Sequence, residues 1–222
     1  MMERMGELIL LRHGETEWSA TGRHTGRTDV PLTPRGEAQA AALARAFARR
    51  KIQAVFTSPA ERAVRTAKLA GLDGARQDPD LWEWDYGGYE GRTTAQIRAQ
   101  RPGWYLWRDG VIPGDAGHPG ETVDQVGRRA DAVLGRVRPL LGAGEDAAAG
   151  GGQGHDRGDV VLVAHGHILR VLAARWLGLP PAGGRLLRLD TGTCSALGTE
   201  HGYPVIAGWN IPPMDPPAPA AG

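Results

Sequence analysis

The sequence predicts an α/β fold built on a parallel sheet, and two observations carry that prediction. Leu8-Ile9-Leu10-Leu11 and Val160-Val161-Leu162-Val163-Ala164 are short continuous apolar runs, the pattern of strands covered on both faces. Each run ends on a His-Gly pair, His13-Gly14 and His165-Gly166, and segments of helical periodicity lie between the strands. In open α/β sheets ligands bind outside the carboxyl ends of the strands, so polar groups delivered there are site candidates before any chemistry is considered.

Taken in order, Gly14 punctuates the first strand, and Glu15 to Val30 reads as a loop lying over its end, with Gly22, Thr25, Gly26 and Thr28 and no periodicity. Thr33-Pro34 reads as an N-cap followed by proline at the first helical position, opening a helix to about Arg50 on the stripe Ala40, Leu43, Ala44 and Phe47. Gln53 to Thr57 is a second strand. Ser58-Pro59-Ala60-Glu61 has the form of a capping box, which starts a helix at once and puts Arg62 in its first turn.

Gln77 to Gly91 is dense in aromatic, acidic and glycine residues and reads as a structured loop. Thr93 to Gln100 is a helix, and Pro102 to His118 is irregular, with Trp104, Tyr105, Trp107 and Arg108 on a lid-like segment where aromatics serve packing more often than binding. Val123, Val126, Ala130, Val133, Val137 and Leu140 recur at helical spacing between Glu121 and Leu141. Gly142 to Gly158 is a Gly/Ala-rich surface connection. Beyond the His165 strand, Ile168, Leu169, Leu172 and Ala173 open another helix. Arg185 to Leu189, Cys194 to Thr199 and Val205 to Trp209 read as strands, the last two antiparallel through His201-Gly202-Tyr203-Pro204, and the Pro/Ala-rich tail from Pro212 is expected to be disordered.

A chain of 222 residues suits one domain over 1–211 with a tail at 212–222. The formal net charge of +1, with both signs spread along the chain, gives no footprint for nucleic acid or an acidic membrane. Cys194 is the one cysteine, so no intrachain disulfide forms, which fits a reducing compartment. The N-terminal apolar run is too short for a signal peptide or a membrane span, so a cytoplasmic protein is expected, with a homodimer left open.

Arg12, His13, Arg62 and His165 thus converge on one sheet edge, and phosphoryl transfer suits such a set. Its transition state spreads charge over oxygens that guanidinium and imidazole donors can stabilise. A neutral imidazole can attack phosphorus to give a phosphohistidine, with neighbouring arginines disfavouring its protonation. A carboxylic acid must then protonate the departing alcohol. Glu83, Asp85 and Glu90 are all near in sequence, and residue type alone does not choose among them. His167 reads as a helix-start or supporting residue, since a His165-x-His167 metal site lacks further local ligands; no metal and no cofactor are expected.

Leu-Arg-His-Gly-Glu-Thr at 11–16, Thr57-Ser58-Pro59 with Arg62 and Thr66-Ala67, Glu83 before Tyr86-Gly87 and Glu90-Gly91, Gly120-Glu121-Thr122, and Val163-Ala164-His165-Gly166 together resemble the histidine phosphatase, or phosphoglycerate mutase-like, superfamily. The resemblance runs through nearly the whole chain in the same order. It implies a three-layer α/β/α sandwich with a mostly parallel central sheet, His13 as nucleophile, Arg12, Arg62 and His165 as the phosphate pocket, and Glu83 as proton donor. Ser19, Thr25, Gly26 and Gly166 are the candidate substrate-binding residues.

Trp107-Arg108-Asp109-Gly110, Leu189-Asp190-Thr191-Gly192-Thr193 and Glu200-His201 are similar to the sedoheptulose bisphosphatase-like branch. Trp18-Ser19 through His24-Thr25-Gly26 and Glu83-Trp84-Asp85-Tyr86-Gly87 also resemble a mycobacterial acid phosphatase of the superfamily. Ser19 stands where mutases place asparagine, and the Glu83 run lacks the mutase continuation, which favours hydrolysis. The expectation is a metal-independent phosphatase of small phosphorylated metabolites, sugar phosphates foremost, acting through a phosphohistidine; the alternatives are a phosphoglycerate mutase using the same intermediate and a non-catalytic phosphoprotein-binding module.

Overall fold

The computed structural model describes residues 6–142 and 157–213. Its centre is a six-stranded sheet of order β3-β2-β4-β1-β5-β6, in which β1 is Leu8–Arg12, β2 Ile52–Thr57, β3 Arg76–Gln77, β4 Asp159–Ala164, β5 Cys194–Glu200 and β6 Tyr203–Ile211. The first four run parallel, while β5 pairs antiparallel with β1 and β6 antiparallel with β5.

Alternation along the central strands divides the core in two. Leu8, Leu10, Val160 and Leu162 pack with α6 (Val123–Leu141) and α7 (Gly166–Trp176), whereas Ile9, Leu11, Val161 and Val163 pack with α2 (Pro34–Phe47) and α3 (Glu61–Leu69). This is the expected three-layer α/β/α sandwich, and it follows from strands whose successive side chains face opposite sides and are apolar on both. Shorter helices are α1 (Glu17–Ala20), α4 (Thr94–Gln100) and α5 (Leu106–Asp109).

The Thr33-Pro34 helix start is as the sequence predicts, and two further helix starts, with no cap assigned from sequence, follow the same local chemistry. Thr33 accepts from Gly36 N–H with Pro34 at the first position, Thr93 and Thr122 form capping boxes with Gln96 and Gln125, and Gly142 closes α6 in the left-handed region. Three expectations need correction. Ser58 does not cap α3: the helix begins at Glu61 after Ala60, and its first N–H is taken by the carboxylate of Asp29, at 3.0 and 3.1 Å, from another loop. The Ser58 hydroxyl accepts instead from Ala60 N–H at 3.3 Å and lies against the site.

The segment from Arg185 is not a strand. A 3-10 turn with proline in its first turn spans Pro181–Leu186, and within it Gly184 packs so closely that a Cβ there would lie 2.8 Å from Trp107 and 2.9 Å from the Arg170 backbone. The loop of residues 15–30 contains the one-turn helix α1, capped by Thr16 and Ser19. The expectations for 142–158 and for the tail fall mainly outside the described residues. Among the described residues no helix is long and apolar enough to cross a membrane.

Candidate active site

Three adjacent strands, β2, β4 and β1, end together at the carboxyl edge. The register pairs Thr57 with Val163 and Arg12 with Ala164, and His13 N–H donates to Ala164 O at 2.9 Å while Ser58 N–H donates to Val163 O at 2.9 Å. Ser58, His165 and His13 therefore stand side by side, with His165 in the middle. Strand pairing alone brings together residues about 100 positions apart, for Ser58 and His165 are separated by 107.

Gly14 is required by the next step of the chain. A Cβ on it would lie 2.2 Å from Gly36 O, and one on Gly36 would lie 2.1 Å from Glu15 O, so the His13 loop and the start of α2 touch backbone to backbone. Gly14 N–H is held by the Thr66 hydroxyl of α3 at 3.1 Å.

His13 is 5% exposed, and its Nδ1 lies 2.7 Å from Gly14 O. A carbonyl only accepts, so Nδ1 carries the proton and Nε2 keeps its lone pair. Burial, then the charges of Arg62 and Arg12, hold the imidazole pKa well below its ordinary value. His13 is thus a neutral base with one tautomer fixed.

His165 meets it edge to face, with ring centroids 5.1 Å apart. Arg62 Nε–H donates to His165 Nδ1 at 3.2 Å, which leaves the proton on Nε2, 2.7 Å from the Ser58 hydroxyl. Burial and the Arg62 charge keep this imidazole neutral as well.

The two arginines are placed differently. Arg12 lines an open cavity of about 390 Å³ together with His13, Glu83, Tyr86, Gly166 and His167. Its Nη1 donates to Leu189 O, but its buried Nε has no partner among the described residues. A buried donor without a partner is rare, and it marks the Arg12 guanidinium as incompletely paired beside the cavity. Arg62 is fully buried and, like His165, is not among the residues lining the cavity. Besides His165 it donates to Thr28 O at 2.9 Å, Gly26 O at 3.0 Å and Thr25 O at 3.4 Å, so it also ties down the loop over the site.

Glu83 is the carboxylate that reaches the cavity. It is 4% exposed, and its oxygens accept backbone N–H groups from Trp84, His167 and Ile168, each at 2.9 Å. Two of these donors are at the start of α7, whose positive end favours an anion. Burial alone would raise the pKa of this group; the His167 side chain and backbone, with His165, bring it well below the usual carboxylate range. Asp85 and Glu90 have other work. Asp85 accepts from Gly87 N–H at 2.9 Å, and Glu90 accepts from Gly26 and Thr28, clamping the loop of residues 15–30.

The remaining candidates divide. Ser19 and Thr25 line the cavity, but the Ser19 hydroxyl accepts from Thr16 N–H and donates to Thr16 O, and the Thr25 hydroxyl donates to Arg23 O. Gly26 is buried, giving its N–H to Glu90 and its carbonyl to Arg62. Gly166 lines the cavity at the first turn of α7, where a Cβ would lie 3.3 Å from the Arg12 guanidinium carbon.

Sequence reasoning missed Ser58 as a partner of His165, although its place at a strand end, like that of His13, was the available signal. It also missed Arg129, which donates to Asp80 O, Trp82 O, Glu83 O and the Glu121 carboxylate and so braces the Glu83 segment against α6. No periodicity marks such a long-range brace.

Fold and site together define a class, an α/β protein whose parallel sheet edge sets a neutral imidazole among buried guanidinium groups. Comparison with known proteins makes the class specific. A model of the histidine phosphatase superfamily, branch 1, matches residues 8–212, and the chain belongs to that family. It is similar to an acid phosphatase of Mycobacterium tuberculosis, 39% identical over 206 residues and 92% of each chain. It is also similar to sedoheptulose 1,7-bisphosphatase of Saccharomyces cerevisiae, 36% identical over 196 residues, 77% of this chain and 67% of the yeast protein. A solved structure of a Mycobacterium tuberculosis open reading frame superposes with a TM-score of 0.82 at 37% identity, covering 95% of this chain and all of that one.

Proposed function

We propose that the protein hydrolyses small phosphorylated metabolites, sugar phosphates foremost, through a phosphohistidine on His13. Family membership and phosphatase relatives make it a phosphoric monoester hydrolase. The observation that carries the reading is the neutral His13, its tautomer fixed by Gly14 O, lining one cavity with Arg12 and Glu83.

In the first step Nε2 attacks phosphorus, the N–P bond forms as the P–O bond to the alcohol breaks, and Glu83 protonates the departing oxygen. Arg12 neutralises the phosphoryl oxygens, while the buried Arg62 adds its positive charge from outside the cavity and the neutral His165, held between Arg62 and Ser58, packs against the His13 ring. In the second step Glu83, now a carboxylate, takes a proton from water as its oxygen bonds phosphorus and the N–P bond breaks. Inorganic phosphate leaves, and the Glu83 proton is restored.

Quench of turnover with labelled p-nitrophenyl phosphate in alkaline detergent, where a phosphohistidine is stable, is expected to trap label on His13, and His13→Ala to abolish release of phosphate. A fully active His13→Ala enzyme would overturn the mechanism. Absence of p-nitrophenyl phosphate turnover would leave a binding module, and interconversion of 2- and 3-phosphoglycerate faster than phosphate release would make the protein a mutase. Glu83→Gln is expected to slow an alkyl ester such as glycerol 2-phosphate by about 10²- to 10⁴-fold, the usual worth of a positioned acid, and to slow the aryl ester less. Equal slowing of both would remove the acid role.

A further inference from the structure

The same geometry sets a problem for Glu83. Three backbone N–H groups and the start of α7 stabilise its ionised form, yet the proposed reaction needs it to arrive protonated. Trp84 N–H and Ile168 N–H both point at Oε1, while Oε2 accepts only from His167 N–H. Oε2 is therefore the oxygen with room for a proton.

The side chain nearest that oxygen by charge is His167, whose Nδ1 lies 3.7 Å from Oε2. This is beyond hydrogen-bond length and within ion-pair reach, so a small rotation of the ring closes it. The same Nδ1 lies 2.6 Å from the phenol oxygen of Tyr86, and burial pushes the Tyr86 pKa well up, keeping the phenol intact. A phenol serves either state of the nitrogen, donating to it when bare and accepting from it when protonated. The ring is packed edge-on to Trp84 and tilted against Trp107, and His167 lines the cavity.

We propose that His167 is the proton store for Glu83, a positioning residue that acts through the carboxylate and not on the substrate, holding on Nδ1 the proton that Glu83 delivers. This rests on the hydrolase reading above. Where the store is filled, the resting pair carries one proton, on Nδ1. When a phosphate dianion enters, its charge raises the proton affinity of the buried carboxylate, and the proton passes from Nδ1 to Oε2. Glu83 then gives it to the ester oxygen, regains one from the attacking water and returns it to Nδ1, so protons balance over the cycle.

The groups facing His167 set the pH at which the store fills. Glu83 favours the imidazolium, while burial, Arg170 on its own helix and Arg12 from β1 oppose it; Tyr86 and His24 complete the titratable surround. The store therefore fills on the acid side of the ordinary histidine value, and alkyl ester turnover is expected to rise as pH falls toward that point.

Two experiments test this on the full chain. In His167→Asn the amide nitrogen can still bond Tyr86 but carries no exchangeable charge. The loss of kcat/KM for glycerol 2-phosphate is expected to exceed that for p-nitrophenyl phosphate at least tenfold, with the pH midpoint of the alkyl-to-aryl ratio moved down by about one unit, the scale of a neighbouring-charge effect. Equal losses on both esters with an unmoved midpoint would overturn the proposal. An independent readout is the imidazole ¹⁵N signal of His167 between pH 8 and 4. It is expected to titrate on Nδ1 in the wild type and at least about one unit lower in Glu83→Gln. A His167 that stays neutral throughout, or whose midpoint ignores Glu83→Gln, would overturn it even where His167→Asn fails to fold. Wild-type protein without turnover of either ester, or without label on His13, would instead remove the hydrolase reading.

Discussion

Ser58 shows what a single residue can hide. Its sequence surroundings spell a helix cap, but the cap is supplied from elsewhere by Asp29, and the hydroxyl is 2.7 Å from His165 Nε2. Ser58→Ala removes that acceptor and leaves a buried N–H unpaired, so urea denaturation is expected to show about 1–3 kcal/mol of lost stability. A change within a few tenths of a kcal/mol would mean His165 finds another partner. The same lesson holds for Glu83: among three nearby carboxylates, residue type gave no basis for choosing, and only the resemblance picked it out. The structure separates them by what each accepts, since Glu90 and Asp85 are spent on loop N–H groups.

At the level of elements, the apolar runs, the Thr-Pro start of α2 and the 3.6-residue stripe of α6 were legible because each is a local pattern. The strand expected from Arg185 was not, for a near-continuous apolar and basic stretch is ambiguous until its neighbours are known, and here β5 already occupies the free side of β1. The short α1 was hidden because one turn has no period to read. Two element-scale outcomes follow. Thr122→Ala removes a capping box from α6 and is expected to cost about 1 kcal/mol by thermal or chemical denaturation. Gly36→Ala forces a Cβ against Glu15 O, and since backbone cannot swing aside as a side chain does, about 1–3 kcal/mol is expected, together with a displaced His13 loop and reduced turnover.

On the scale of the whole molecule, the buried site ties stability to pH. His13 and His165 are held neutral, so the unfolded chain binds protons that the folded one refuses as pH falls below the ordinary histidine value of 6.5. Their contribution is complete above that value and is lost progressively beneath it. Glu83, held ionised, adds a second loss at lower pH, beginning near its ordinary value of 4.5 and continuing down through its folded one. Calorimetry from pH 8 to 4 is expected to show a level melting temperature down to about 6.5 and a decline below it, shallower in a His165→Asn variant; a melting temperature that rises on acidification would contradict this.

Trp104 and Trp107 connect that scaffold to the choice of substrate. Both line the cavity, and both are buried in the core shared with α6 and α7, with Trp107 edge-on to Trp84 and beneath the guanidinium of Arg170. The sequence suggested packing for these rings, and they pack in the core and line the cavity at once. A lineage exploring new esters through this wall must therefore draw on its folding reserve with each step, so variants selected for altered scope should arise more readily in a background that has first been thermostabilised elsewhere.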